Sequence, residues 1–402
     1  MPCCPQQHHQ AITYPQICAE AHDSASRAQA LGMTASKEPK QRSVRRRAAR
    51  RKAQRRQRRQ RGRAPQPVAP TRLTPTRLKI RRPDDLLAII PYTIGFHPEE
   101  DIVTVFIKSG RVKLTTRTDI PPESASDDLA NWIDALAKRE GAEALALVAY
   151  SDAPLPAQRL LTRLMDRLGD HHDLTDVLYV GHGRWWSLTC GEECCPLAGS
   201  PYDLTSHPIS AAAVLAGLGV RASRRELEAL VSGPAEADLE RLSALAEVLR
   251  TELERSDKSV AAAELLVSTM DRALADPADL DEKNSMLLGL LVADVLVRDV
   301  AWAQISPSDA EEHVQLWARV VWQVPPALAA APLCLLGIAA WVAGHGALLN
   351  CCCERVLQIN PDYSMGRLLA DISARAIPPS IWHEIRDDMR AEFDADWAPL
   401  AG

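Results

Sequence analysis

In the stretch "RSVRRRAARRKAQRRQRRQRGR", Arg42 to Arg63, 13 of 22 residues are Lys or Arg. A segment so charged and so poor in apolar side chains cannot bury enough surface to offset chain entropy, which predicts disorder when it is free. The Pro-rich run "APQPVAPTRLTPTR" continues this character, so residues 1–78 read as a disordered basic tail and folding has to begin near residue 79. The charge is segregated along the chain. Residues 1–82 hold 21 Lys+Arg against 3 Asp+Glu, and residues 83–402 hold 26 against 49, so the net charge of −5 hides a basic arm on an acidic body. Such an arm suits nucleic-acid phosphates, with Arg45, Arg46, Arg47, Arg50, Arg51, Lys52, Arg55, Arg56, Arg58 and Arg59 as candidate contacts. The competing expectation is an arm neutralised by its own body. Cys3, Cys4, His8 and His9 precede an alternative start at Met33.

At 402 residues the chain has room for two cores beyond the tail. Aromatics are scarce at 4%, and 9 of the 18 are Trp, so Leu, Val and Ala must fill most of the interior. The ten cysteines show no disulfide-framework spacing, and Met1 is followed by Pro2 and polar residues rather than an apolar signal. The longest apolar stretch, Ala327 to Ala343, contains Pro332 and is short for a membrane span. These features predict a cytoplasmic, reduced protein with no membrane partner.

Beyond Arg82 the patterning becomes regular. "PDDLLAIIPYTIGF" opens with Pro and two acids, as helix starts do. "DIVTVFIKSGRVKLTTRTDI" reads as a hairpin around Ser109-Gly110. "ASDDLANWIDALAKREG" carries a helical stripe at Leu129, Trp132, Ile133 and Leu136. "EALALVAYS" is a strand buried on both faces, "PAQRLLTRLMDRLGD" a second helix, and "LTDVLYVGHGRWWSLTC" two more strands. The order ββαβαββ predicts a small mixed sheet with flanking helices over 79–200. Helical patterns then fill 201–402, where Ser223 and Glu226 have capping-box spacing. The fold class is thus α/β plus α: a mixed β-sheet domain, then an all-helical, partly repeat-like domain.

The repeat character lies at 333–361. Leu333, Leu336, Gly337 and Ala340 occupy the first positions of the tetratricopeptide signature, and Leu349, Cys353 and Pro361 the later ones. Gly337 predicts a close helix crossing, Pro361 the start of the next helix, and Cys353 a small core residue. Such a pair must stack on neighbours around Met286–Trp302, Glu311–Trp322 and Tyr363–Ser373. The stack predicts a groove for a protein partner, or one filled by the chain's own Ile381–Trp397 through Trp382 and Phe393.

Candidate chemistry is sparse, and no catalytic residue is assigned. Cys190, Cys194 and Cys195 with His182, or His207 in its place, have the ligand types for zinc. Paired C-x2-C spacing is absent, so a structural loop is the preferred reading, with zinc and redox thiols as alternatives and no other cofactor expected. His97 in "GFHPEED" suits a general base oriented by Glu99, Glu100 or Asp101, which is the enzyme alternative. "GDHHDL" reads as a solvated loop, and "GHGRWW" lacks the helix that a phosphate loop needs.

Several stretches together, "DDLLAIIPYTIGFHPEEDIVTVFI", "RTDIPP", "RWWSLTCGEECCPLAGSPY", "AAAVLAGLGVRASRRELEAL" and "AAWVAGHGALLN…LQINPDYSMGRLL", resemble the actinobacterial domain of unknown function 4192 from about Leu78 to Ile385. The resemblance implies no reaction. The family usually has Ser where this chain has Asp101, which argues against a serine nucleophile there, and its CCP stretch is shared. The arm lies outside the shared region. The leading expectation is a non-enzymatic interaction protein, with an enzyme near His97 and a nucleic-acid-associated protein as alternatives.

Overall fold

The computed structural model describes residues 12–13, 78–190, 195–254 and 259–397. The arginine-rich stretch, with Arg45 to Arg59, lies outside them, as does most of the tail. Arg77–Gly402 falls within one compact unit.

The sheet strands are β1 (Ile12–Thr13), β2 (Lys79–Ile80), β3 (Asp101–Lys108), β4 (Arg111–Asp119), β5 (Ala144–Tyr150), β6 (Asp173–Gly181), β7 (Arg184–Ser187) and β8 (Ser200–Pro201). Their order is β2-β1-β4-β3-β5-β6-β7-β8. The β3–β4 hairpin turns at Ser109 (φ 51°) and Gly110 (φ 67°), and β6–β7 turns at His182 (φ 51°) and Gly183 (φ 72°). Left-handed pairs of this kind match the twist of the strands they join. β5 and β6 are the long parallel pair, and α3 (Pro154–Leu168) makes the crossover that parallel pairing requires.

Alternation along the strands builds two cores. Ile102, Phe106, Leu145, Leu147 and Val177 face α3 and α2 (Ser126–Glu140). Val103, Val105, Ala146, Val148 and Leu178 face α1 (Pro83–Ile94) and α4 (Pro208–Leu215). Helix α1 starts at Pro83, where the Asp85 carboxylate accepts from the Arg81 and Arg82 amides at 2.8 and 3.1 Å. It stops at Gly95, whose φ of 91° suits glycine.

Among the described residues, ten α-helices follow: α5 (Arg224–Leu230), α6 (Leu239–Glu254), α7 (Ser259–Ala275), α8 (Glu282–Leu291), α9 (Val295–Gln304), α10 (Ala310–Trp322), α11 (Ala330–Ala343), α12 (Gly346–Ile359), α13 (Ser364–Ala374) and α14 (Trp382–Trp397). Every residue of α11 from Ala331 to Val342 is buried, so this helix is the axis on which α10, α12 and α13 pack. Met286–Trp302 divides into α8 and α9, and Asp294 caps the second through bonds from the Leu296 and Val297 amides. Among the described residues no helix is long and apolar enough to cross a membrane.

Two local expectations need correction. Ser223 takes the N-cap of α5 but makes no side-chain cap bond; the turn closes through the Glu226 amide and the Ser223 carbonyl. Pro361 does not begin a helix. It lies in a turn braced by the Arg367 Nε donating to its carbonyl at 2.9 Å, and α13 begins at Ser364. Of the two alternatives for the groove, the chain's own segment fills it at Trp382, which is fully buried between α9 and α11. The side chain of Phe393 lies outside the described residues.

Helices α11 and α12 meet at Gly337. A Cβ there would stand 3.3 Å from the Cys352 Cβ and 3.2 Å from the Leu369 Cδ1. A Leu side chain has no room. Gly337→Leu is expected to cost about 1–3 kcal/mol or more from overpacking. Gly337→Ala should cost less, because Leu369 can yield a few tenths of an ångström. Urea unfolding of both variants checks the order, and equal stability of Gly337→Leu and wild type would refute the close crossing.

Candidate functional site

At one end of the sheet the register sets Asp101 of β3 directly opposite Asp119 of β4. Two carboxylates in a directly opposed pair repel. Arg117 stands two residues before Asp119 and so on the same strand face. Its guanidinium bonds the Asp101 carboxylate and lies 2.6 Å from Asp119 Oδ1. The Asp101 side chain is fully buried, and its Oδ2 also accepts from the Glu99 amide at 3.0 Å. Burial raises the Asp101 carboxyl above its ordinary pKa, while Arg117 and the Glu99 amide pull in the opposite direction. The Asp101 carboxyl thus meets a guanidinium and an amide rather than water.

The same guanidinium ties the sheet to the helices. Its centre lies 5.7 Å from the ring centroid of Phe96, which is buried in the helical core. The backbone beside Phe96 pairs with Arg221: the His97 amide donates to the Arg221 carbonyl at 3.1 Å, and the Arg221 amide to the Gly95 carbonyl at 2.9 Å. Asp119 in turn faces Arg224 at the start of α5, 3.9 Å away. Arg224 also reaches Glu228 at 3.3 Å, Glu354 of α12 at 2.5 Å, and the buried Cys351 thiol. Burial works against its charge, but Glu354 and then Cys351 hold the guanidinium above its ordinary pKa. Nearby, the Glu311 carboxylate is lowered by a 2.7 Å bond to His345. The result is a chain of alternating charges from Asp101 to Glu354.

Glu100 has a different task. It adopts φ 52°, and its carboxylate accepts from the Ser151 hydroxyl at 2.7 Å and the Asp152 amide at 2.9 Å. The Tyr179 hydroxyl donates to the Ser151 carbonyl at 2.9 Å. A Cβ on Gly181 would lie 2.4 Å from that hydroxyl, so only glycine fits beside it. These bonds close the loops at the ends of β3, β5 and β6.

Of the residues in "GFHPEED", His97 contributes its backbone amide, Glu100 a loop bond and Asp101 a buried ion pair. His97, the candidate general base, is half-buried, and Asp101, one of its candidate orienting partners, faces Arg117 and the Glu99 amide instead. His182 lies in the β6–β7 turn with Nδ1 3.3 Å from Asp152. Cys190 stands three residues beyond the opposite end of β7, and Cys195 on the return run toward β8. Cys194 lies outside the described residues. His207 caps α4, its Nδ1 accepting from the Ile209 amide at 3.2 Å. Among the described residues no group of three or more His, Cys, Asp and Glu gathers to hold a metal ion. In "GDHHDL" the loop is less solvated than its composition implies, since the His172 ring is buried 2.9 Å from Asp134. The thiols of Cys334, Cys352 and Cys353 are all raised by burial, Cys353 to about 12, which leaves them inert.

The residues that sequence reading passed over are Arg117, Asp119, Arg224 and Glu354. Each belongs to a stretch that looked unremarkable alone, and only the register brings them together. Removing Arg117 leaves Asp101 buried without its cation. Arg117→Met is expected to cost about 3–5 kcal/mol, the usual penalty for an uncompensated buried charge. The double variant Asp101→Asn/Arg117→Met should recover part of it. Chemical unfolding of the three variants measures the coupling, and a loss under about 0.5 kcal/mol for Arg117→Met would show that the pair is dispensable.

The stretches "GFHPEED", "RTDI", "RASRREL" and "CCCE" therefore converge in space although more than 250 residues separate the first from the last. Comparison with curated proteins and with solved structures found no match. The family model of the domain of unknown function DUF4192 matches residues 83–380, a span that takes in the whole charged seam. The chain belongs to the DUF4192 family.

Proposed function

We propose that the chain is a non-enzymatic interaction protein. One observation supports this above the rest: the charged side chains at the sheet end are committed to one another. Asp101, Arg117, Asp119, Arg224 and Glu354 form a continuous set of ion pairs that joins sheet to helices. Such groups hold a surface in shape and offer no base or nucleophile to a substrate. A partner would lie on the outer face of the helical stack on the other side of the seam. In-cell cross-linking with mass spectrometry tests this reading. A cross-linked species above 44.1 kDa containing a second protein is expected, unchanged by His97→Ala. Cross-links confined to the chain itself, or loss of the species in His97→Ala, would count against it.

The arm supports a second reading, that the protein also holds nucleic acid through phosphate contacts. Its motive is the concentration of cations between Arg42 and Arg63 on an otherwise acidic chain. Neutralising some 6–10 phosphates should weaken binding roughly 10³–10⁵-fold between about 50 and 200 mM salt. Filter binding to random-sequence RNA and DNA, with and without residues 1–70, measures this. Salt-insensitive binding, or binding that survives the deletion, would assign it to another surface.

A further inference from the structure

The segment between α13 and α14 is held as a short peptide ligand is held. Within it, Ile377 offers its carbonyl to the indole N–H of Trp341 on α11, at 2.8 Å. Pro378 follows at φ −73° and ψ 142°, which is polyproline II geometry. Pro379 to Ile381 form one 3-10 turn, and Trp382 then enters the stack. Its indole lies flat on Trp302 of α9, centroids 5.6 Å apart and planes 7° apart, and edge-on to Trp341 at 6.1 Å. Its N–H donates to the Ile305 carbonyl at 2.9 Å. The slot thus donates at one end of the segment and accepts at the other. It reads a polyproline turn in between, and three of the chain's few aromatics are spent on it.

The connection to α13 separates this strap from the body. Arg139 of α2 donates to the Arg375 and Ala376 carbonyls, and the Trp132 indole donates to the Ala374 carbonyl at 3.3 Å. These bonds pin the chain immediately before the strap. Ala376 takes φ 44°, a conformation that an L side chain adopts at a cost. Beyond Trp382, Ile385 is 37% exposed and Glu384, Asp387 and Asp388 face solvent; Trp382 is fully buried, with Ile377 and Met389 packed less deeply on the same core.

We propose that the Trp302–Trp341 slot is a linear-motif receptor and that residues 377–382 occupy it as a built-in competitor. The partner it fits carries an aliphatic residue, two prolines and, three residues after the second, a Trp leading into a helix. Aromatic slots select such segments because a polyproline turn loses little entropy on binding and its carbonyls are free to accept from an indole. This rests on the interaction-protein reading, and supplies the partner's chemistry and the means of its control.

The probe is a fluorescein-labelled peptide with the sequence of residues 376–389, measured by fluorescence anisotropy against the full-length protein. With the slot occupied in cis, wild type should bind it weakly. Trp382→Ala empties the slot and should tighten binding about tenfold or more, since the occupied fraction no longer competes. Trp382→Phe keeps a ring but loses the bond to Ile305, and should fall between the two. A peptide with Ala in place of its Trp should bind none of them. Circular dichroism and melting establish which variants are folded, and Trp382→Phe carries the test where Trp382→Ala is not. The proposal is overturned by equal affinity for wild type and folded variants, by no binding to any, or by equal binding of the Trp-less peptide. A wild-type dimer in light scattering that Trp382→Ala abolishes would overturn it too, by assigning the slot to a second copy. A negative peptide result with a cross-linked partner still present would leave the interaction-protein reading intact and move the partner elsewhere.

Discussion

Arg117 occupies the position on which the architecture turns. The antiparallel register of β3 and β4 brings two carboxylates face to face, one of them without solvent. A cation placed two residues along β4 converts that repulsion into a bridge. The register has a second consequence. It carries the guanidinium onto the Phe96 ring and leaves Asp119 to face Arg224, so the sheet end becomes a socket for α5 and, through Glu354, for α12. Buried pairs of this type add little net stability compared with an apolar alternative, but they penalise any other alignment of the parts they join. Their placement at the junction of sheet and helices suits that specificity.

The helical half obeys a different constraint. Helix α11 is apolar on every side, so it must be enclosed, and no single neighbour can do it. Helices α10, α12 and α13 cover it in turn, and small residues set the distances: Gly337 admits Cys352 and Leu369, while Gly366 admits Val356. The cysteine triplet falls within this packing, with Cys352 completely buried. Thiols raised by burial act as small hydrophobes, and the sulfur-rich helix packs as core. One flank of α11 is closed by aromatic surface instead, where Trp341 receives the chain's own Trp382.

Much of the fold was legible in the sequence because its signals are local. The order ββαβαββ followed from alternation, from the Ser109-Gly110 and His182-Gly183 turns, and from helices ending at Gly141 and Gly169. Trp382 was legible as a candidate to fill the helical groove, since a large apolar residue at the edge of an acidic helix needs a place to go. Local signals failed where a neighbour in space took over. Ser223 has the residue type of a capping box but leaves the cap to the backbone. His172 looks like a loop residue and is buried against Asp134 because α2 and α3 pack side by side.

By itself, then, the sequence determined the class of the protein: a basic arm, a mixed sheet with helices on both faces, and a helical stack with a tight crossing at Gly337. Those properties depend on composition, periodicity and turn chemistry, which act within a dozen residues. The tertiary structure alone decided what the charged and aromatic residues are for. Asp101, Arg117, Arg224 and Glu354 span more than 250 residues of chain, and Trp302, Trp341 and Trp382 come from three separate helices. No pattern along a chain encodes such meetings, because ion pairs and ring stacks act over a few ångströms in space, and only the packed fold sets those distances.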